Sequence, residues 1–312
     1  VIERGEDRVD KTAAVLPNAL TVDVEDWYHS VLEIEPADWP EYPDRVESAT
    51  EELLACLSDC GARATFFVLG HVAEMHPDLV PRIAAAGHEI ACHGYAHRLV
   101  YTLTPDAFRA DLRRSLEILH SQTDRAIRGY RAAYWSITRR CSWALDIVAE
   151  EGLTYDSSIY PTITSLYGIP DAPTEPVRLS TPGGHRLLEF PPSVLRFPVR
   201  NIPFAGGIYL RLLPYTFVRQ ALRYQNRRGR PALVYIHPPE FDPDKPRIPM
   251  NFGNRVLHYA RLDAFRRKVP KLLEDFTFAP VGEILDRLVE RDQLRSWRLE
   301  DIPSAGDSAG EK

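Results

Sequence analysis

Short apolar runs rich in β-branched and aromatic residues alternate along this chain with amphipathic stretches that end at glycine, and that alternation restricts the fold. The runs are ALTVDVED (19–26), ATFFVLG (64–70), EIACHG (89–94), IRGYRAA (127–133), LTYDSS (153–158) and ALVYIHP (232–238). Between them, helices are expected from Ser48 to Cys60 before Gly61, over 77–87 ending at Gly87, over 104–123, over 138–152 and near 214–228. In the third, Thr104 is the expected N-cap, Pro105 takes the first helical position, and Phe108, Leu112, Leu116 and Leu119 form one stripe. Two more helices, LDAFRRKVPKLLEDF (262–276) and VGEILDRLVERDQL (281–294), flank a short strand near the end. Strand, helix, strand with short connections implies an α/β fold with a parallel sheet covered by helices. Such folds gather their chemistry at the C-terminal ends of the strands. The 161–206 stretch is looser, rich in Pro and Gly, with one expected strand, HRLLEFPPSV (185–194).

Composition excludes several classes. With 312 residues, 44% of them hydrophobic, the chain can bury a large core and is not a disordered protein. A net charge of −6 argues against a nucleic-acid partner, and the basic stretch RYQNRRGR (223–230) reads as a solvated helix end. Cys56, Cys60, Cys92 and Cys141 lack CxxC spacing and read as small buried hydrophobes in a reducing compartment. The start, VIERGEDRVDK, has no signal-peptide core, and no run is apolar over the roughly 18 residues that cross a bilayer. Residues 1–17 are expected to be frayed, 18–300 to form one domain with a C-terminal extension, and 301–312 to be a disordered tail.

The strand ends collect an unusual set of polar residues. Asp23, Glu25 and Asp26 follow the first strand, His93 and His97 the third, Arg131 the fourth, Asp156 the fifth and His237 a late one. An HxxxH pair alone is weak evidence for a metal. Two imidazoles with a carboxylate nevertheless make an open divalent-metal site, which polarises a carbonyl and acidifies water. A second carboxylate can serve as base, a third histidine can protonate a leaving group, and Arg131 can hold the base ionised. These are the parts of an amide hydrolase. His29, His71, His76, His88, His120, His185 and His258 fit no motif and read as packing or surface residues.

TVDVEDWYH, RATFFVLG, AGHEIACHGYAH, GYRAAYWSIT, YDSSIYP and YIHPPEFDPDKPRIP, in this order over about 19–285, resemble the polysaccharide deacetylases (NodB homology, carbohydrate esterase family 4). Within them, the chain is most similar to the bacterial branch associated with exopolysaccharide and exosortase loci. The resemblance implies a distorted (β/α)7 barrel and metal-dependent removal of N-acetyl groups from amino sugars. It further implies His93 and His97 as metal ligands, Asp23 as catalytic base, Arg131 as its tether, His237 as general acid and the Tyr134 N–H as oxyanion donor.

Three departures bear on the site. Where many members have adjacent aspartates, Asp23 is here followed by Val24, Glu25 and Asp26; Asp26 is favoured as the metal carboxylate, with Glu25 as the alternative. Ala133 replaces a usual proline in the arginine motif, and YDSSIY only partly echoes a later motif, so Asp156 is expected to partner His237 or Arg131. The implied cofactor is one divalent ion, zinc, with cobalt or nickel as alternatives. The implied partner is an N-acetylated amino-sugar polymer or a lipid-linked saccharide; the cysteines and missing signal point to the cytoplasm and the substrate to the envelope, which activity at the inner face of the membrane would reconcile. Rival readings are a deformylase or cyclic-ureide hydrolase on the same fold and a non-catalytic carbohydrate-binding relative. Trp27, Tyr28, Tyr134, Trp135, Phe204 and Tyr209 could stack on sugar rings or fill the core. The HPPEFDPDKPRIP loop is expected to lie rigidly over the site.

Overall fold

A computed structural model describes residues 16–164 and 166–299. The expected frayed start and disordered tail lie outside these, except that Leu16 and Pro17, placed in the frayed segment, are described and buried. The first strands, β1 (Asn18–Val24), β2 (Thr65–Val68), β3 (Glu89–Cys92), β4 (Gly129–Tyr130) and β5 (Tyr155–Asp156), are parallel neighbours in sequence order. Helices Val46–Asp59, Leu79–Ala85, Pro105–Gln122 and Trp143–Glu150 connect them. Thr104 caps the third as expected, its hydroxyl accepting from the Ala107 N–H.

The stretch expected to hold one strand holds four. β6 (Val177–Ser180) and β7 (Arg186–Glu189) form an antiparallel hairpin, and β8 (Val194–Arg196) with β9 (Asn201–Pro203) forms a separate one. Each spans three or four residues between Pro and Gly, too short to display a period of two. β10 (Leu233–Ile236) and β11 (Phe278–Ala279) both pair with β1, and β12 (Arg295–Arg298), hidden in sequence by its charged RSWR, extends the sheet beyond β6. Seven parallel strands run β10-β1-β2-β3-β4-β5-β7. The seam between β7 and β10 is crossed by Ser193 and Ala205: Leu233 N–H donates to Ser193 Oγ (2.8 Å), and Tyr235 N–H to the Ala205 carbonyl (3.0 Å). The result is the distorted barrel that the family resemblance implied.

Strand alternation sorts the core into two layers. Leu20, Val22, Val24, Phe66, Val68, Ile90, Val234 and Ile236 pack outward under the helices. Ala19, Phe67, Ala91, Tyr155, Leu233 and Tyr235 face the opposite way, into the barrel. The same parity decides which polar residues reach its mouth.

Candidate active site

Continuing each inward set by two residues at the C-terminal end gives the polar centre. Ala19 and Thr21 lead to Asp23, Ala91 to His93, Tyr155 to Ser157, and Leu233 and Tyr235 to His237. Asp23, Glu25, His93, His97, Tyr134 and His237 line one cavity of about 390 Å³. Arg131 lies fully buried beneath it. His97 and Tyr134 have positive φ (48° and 53°), as does Trp135 (48°). Such backbone strain in non-glycine residues concentrates at functional sites.

Glu25, His93 and His97 bring one ligand atom each within 4.8 Å of one another. His93 Nδ1 donates to the Arg131 carbonyl (2.8 Å) and His97 Nδ1 to the His29 carbonyl (2.9 Å). A carbonyl only accepts, so each Nδ1 carries a hydrogen, which leaves Nε2 as the ligand atom each ring can offer. His97 Nε2 lies 2.5 Å from Glu25 Oε2, a carboxylate oxygen that is buried and accepts no hydrogen bond. A proton or a metal ion between them satisfies such a contact, and this donor set of two imidazoles and a carboxylate fits a divalent metal. Burial would raise the Glu25 carboxyl, but the imidazoles of His97, His237 and His93 outweigh it and hold it well below the usual carboxylate range. Burial pulls His93 down to about 4 despite the nearby Asp23 charge, which keeps it neutral and able to ligate. The loop joining the two histidines is pinned by Asp111, which accepts from the Tyr95 and Ala96 N–H groups (2.7 and 3.1 Å).

Asp26, favoured in sequence as the metal carboxylate, is placed elsewhere. It shares the parity of Val24, so it turns toward the helix layer. There its Oδ2 accepts from the Arg45 and Val46 N–H groups (2.6 and 2.7 Å) at the start of helix Val46–Asp59, and its Oδ1 from Trp27 N–H (2.7 Å). Its carboxylate is a helix cap supplied from a distant strand end. Asp26→Ala should therefore cost stability, roughly 1–3 kcal/mol because it strands buried N–H groups, with no change in bound metal. Denaturant unfolding beside elemental analysis checks both halves of that expectation.

Arg131 is clamped in a single pose. Its Nη1 meets Asp23 Oδ1 (2.5 Å) and Thr21 Oγ1 (2.8 Å), its Nη2 donates to Ser157 Oγ (2.8 Å), and its Nε to the Ser157 carbonyl (3.2 Å). Phe67 lies under the guanidinium, 4.1 Å from its carbon to the ring centre. The other Asp23 oxygen faces His237 Nε2 at 3.8 Å. Asp156 partners neither His237 nor Arg131. Its carboxylate accepts from its own turn, from Ser158 N–H (2.8 Å) and Ser158 Oγ (2.6 Å), and lies opposite Glu189 across the β5–β7 pairing.

The true partner of His237 is Glu240, which the sequence reading passed over. Glu240 Oε2 lies 3.1 Å from both the Nδ1 and the N–H of His237, while its Oε1 pairs with Arg211 Nε at 2.9 Å. The signal was present in HPPE, where proline forces a turn that folds an acid back onto the histidine three residues before it. Burial works against charge on His237, but the Glu240 hydrogen bond and charge, helped by Glu25 and Asp23, push it up to about 9.

His29, read as a packing residue, is buried and orients His97 through its carbonyl, which also accepts from Tyr134 Oη (3.2 Å). Among the aromatic residues, Tyr134, Trp135 and Tyr209 line the cavity, whereas Trp27 and Tyr28 pack with Trp39 and Phe204 belongs to the helix-side core. The proline-rich loop contributes Pro239, Glu240 and Lys245 to the cavity wall.

Residues 38–155 match the polysaccharide deacetylase family, and residues 157–286 match a domain of unknown function (DUF3473). A peptidoglycan-N-acetylglucosamine deacetylase from Bacillus cereus is 31% identical over 149 residues, 44% of this chain and 52% of that protein. A chitooligosaccharide deacetylase from Rhizobium leguminosarum bv. trifolii is 31% identical over 100 residues, 32% of this chain and 44% of that one. Over residues 38–155 the chain is thus similar to the polysaccharide deacetylases. It spans about half the length of the curated relatives it matches. A crystal structure of a Mycobacterium smegmatis protein assigned to the polysaccharide deacetylases shares the fold, with a TM-score of 0.57 at 22% identity over 90% of this chain and 95% of that one. His93, His97, Arg131 and Tyr134 fall in the first matched region, while Arg211, His237 and Glu240 fall in the second. Asp23 and Glu25 precede both. No helix among the described residues is long and apolar enough to cross a membrane.

Proposed function

We propose that the protein is a metal-dependent N-deacetylase that hydrolyses the acetamide of N-acetylhexosamine units in a bacterial polysaccharide or its lipid-linked precursor, releasing acetate. The observation that carries this reading is one cavity mouth in which an arginine-clamped carboxylate, Asp23, faces both His237 and the Glu25, His93 and His97 group. Glu25 and the Nε2 atoms of His93 and His97 would hold the divalent ion, zinc or alternatively cobalt or nickel. When bound there, the ion supplies Lewis acidity that polarises the acetamide carbonyl and acidifies water.

The remaining work falls to the chain itself. Asp23 takes the proton from the attacking water, and Arg131 keeps that carboxylate aimed. The Tyr134 N–H, on its strained turn beside His97, donates to the oxygen that gains charge as the carbonyl becomes tetrahedral. His237, kept cationic by Glu240, gives its proton to the amine nitrogen as the C–N bond breaks. Deacetylation then leaves acetate and a free amino sugar.

The deciding assay is acetate release from N-acetylglucosamine oligomers and peptidoglycan fragments by the zinc-loaded protein, with formate and ammonia measured alongside. Acetate alone supports the proposal; formate or ammonia moves the activity to another amide, and no product favours a binding role. If His237 is the acid, activity requires its protonated form and is lost as pH rises through its pKa. Glu240→Gln removes the charge that raises this pKa, so the alkaline limb of the kcat profile should move to lower pH, by roughly one to three units. An unmoved limb would remove His237 from the acid role.

A further inference from the structure

One charge in the cavity is left over by this mechanism. Lys245, on the loop after β10, lines the same cavity as His237 and Glu240 and is only 6% exposed. Its ammonium forms no ion pair or hydrogen bond with any described residue, and the Tyr259 ring centre lies 5.6 Å from Nζ. The anions around it are already engaged. Glu240 gives one oxygen to Arg211 and the other to His237. Asp242 is bound bidentately by Arg45, with 2.7 Å from Nε and 3.0 Å from Nη2. Glu33, an acid on this wall, accepts from Asn254 Nδ2 at 3.0 Å.

Holding a cation in such a place costs free energy unless something compensates it. Arg211 adds a second buried positive charge, itself tied to the carbonyls of Ala260 and Leu257. The loop carrying Lys245 is not free to swing the ammonium out. Tyr259 Oη donates to the Pro246 carbonyl (3.0 Å) and accepts from Ile248 N–H (3.2 Å), which fixes the backbone on the far side of Lys245. Burial, with Arg211 adding to it and the Glu240, Asp242 and Glu25 charges opposing, pulls the lysine down to about 8, so it is still an ammonium at neutral pH. Lys245, Arg211, Glu240 and Tyr259 all belong to residues 157–286, outside the region that matches the deacetylases.

We propose that Lys245 is a specificity residue that binds an anionic substituent, a carboxylate or a phosphate, carried by the saccharide whose acetamide is at the metal site. The inference rests on the deacetylase reading for where the saccharide lies, and its chemistry is that of an ammonium receiving an acidic oxygen at the wall of the cavity. The substrate class is then an acidic N-acetylated saccharide: a uronate-containing polymer supplies the carboxylate, and a lipid-linked or nucleotide-linked sugar supplies the phosphate.

The test measures binding apart from turnover. Zinc-loaded full-length chain carrying Asp23→Asn would be titrated by calorimetry with three ligands: an N-acetylglucosamine tetramer, an alternating N-acetylglucosamine–glucuronate tetramer and N-acetylglucosamine 1-phosphate. Binding of at least one acidic ligand roughly tenfold or more tighter than the neutral one is expected, and which one separates carboxylate from phosphate. Adding Lys245→Met should erase that advantage, and Lys245→Arg, which keeps the charge, should retain part of it. Equal affinity for neutral and acidic ligands, no binding of either acidic ligand, or an equal loss for neutral and acidic ligands in Lys245→Met would overturn the proposal. Acetate release by the protein with Asp23 intact is scored separately, so a failed deacetylase reading is told apart from a failed anion site.

Discussion

Asp23→Asn is expected to lower deacetylation by roughly 10²–10⁴-fold, the usual worth of a general base, while the metal stays bound. Asn keeps the shape of the side chain and an oxygen that can accept from Arg131, but it cannot take a proton from water. The substitution also leaves the fully buried guanidinium of Arg131 without its counter-charge, and breaking a buried pair costs about 3–5 kcal/mol. That cost is moderated because Thr21 Oγ1, Ser157 Oγ and the Ser157 carbonyl still accept from Arg131. Two readouts therefore accompany the rate: metal content and the unfolding midpoint. An inactive, folded, metal-bearing variant is the result that supports Asp23 as base, and near-normal turnover would rule it out.

Glu25→Ala, and separately the His93→Ala, His97→Ala double variant, should empty the metal site and bring activity to background. The wild-type chain should hold about one divalent ion, since three neighbouring ligand atoms with open positions describe a catalytic site. A ligand that binds only the folded state stabilises it by about 4 kcal/mol at a thousandfold excess over Kd. Added zinc should accordingly raise the melting temperature of the wild-type protein and leave that of either variant unmoved. Elemental analysis decides between the two neighbouring acids, because Asp26→Ala is expected to retain metal where Glu25→Ala loses it. Metal retained without Glu25 would return the ligand role to another carboxylate.

The choice between those acids shows how far a single sequence reaches. Period two along β1 puts Ala19, Thr21 and Asp23 on the inner face and Leu20, Val22 and Val24 on the outer one. Extended by one step, it places Glu25 inside and Asp26 outside. Side-chain length was the wrong criterion and parity the right one. The Arg45 and Val46 N–H groups that claim Asp26 lie about twenty positions further along, where no local pattern announces them.

Other features were legible without coordinates because their causes are local. The strand ends that carry Asp23, His93, Arg131 and His237 follow from β-branched apolar runs broken by polar residues. The Thr104 cap and the Phe108, Leu112, Leu116 and Leu119 stripe follow from helix geometry. What escaped was short, charged or distant: β6, the β8–β9 hairpin, the RSWR strand, and the Glu240 and Lys245 side chains. Asp156 was assigned a distant partner and instead bonds to Ser158, two residues on. Hydrophobic periodicity and strand-end chemistry therefore determined the α/β class and most of the residues at the mouth. Which carboxylate meets the histidines, which acid charges His237 and which cation is left unpaired were decided only by tertiary structure, because each depends on contacts that strand parity, turn geometry and burial impose together on residues from different elements.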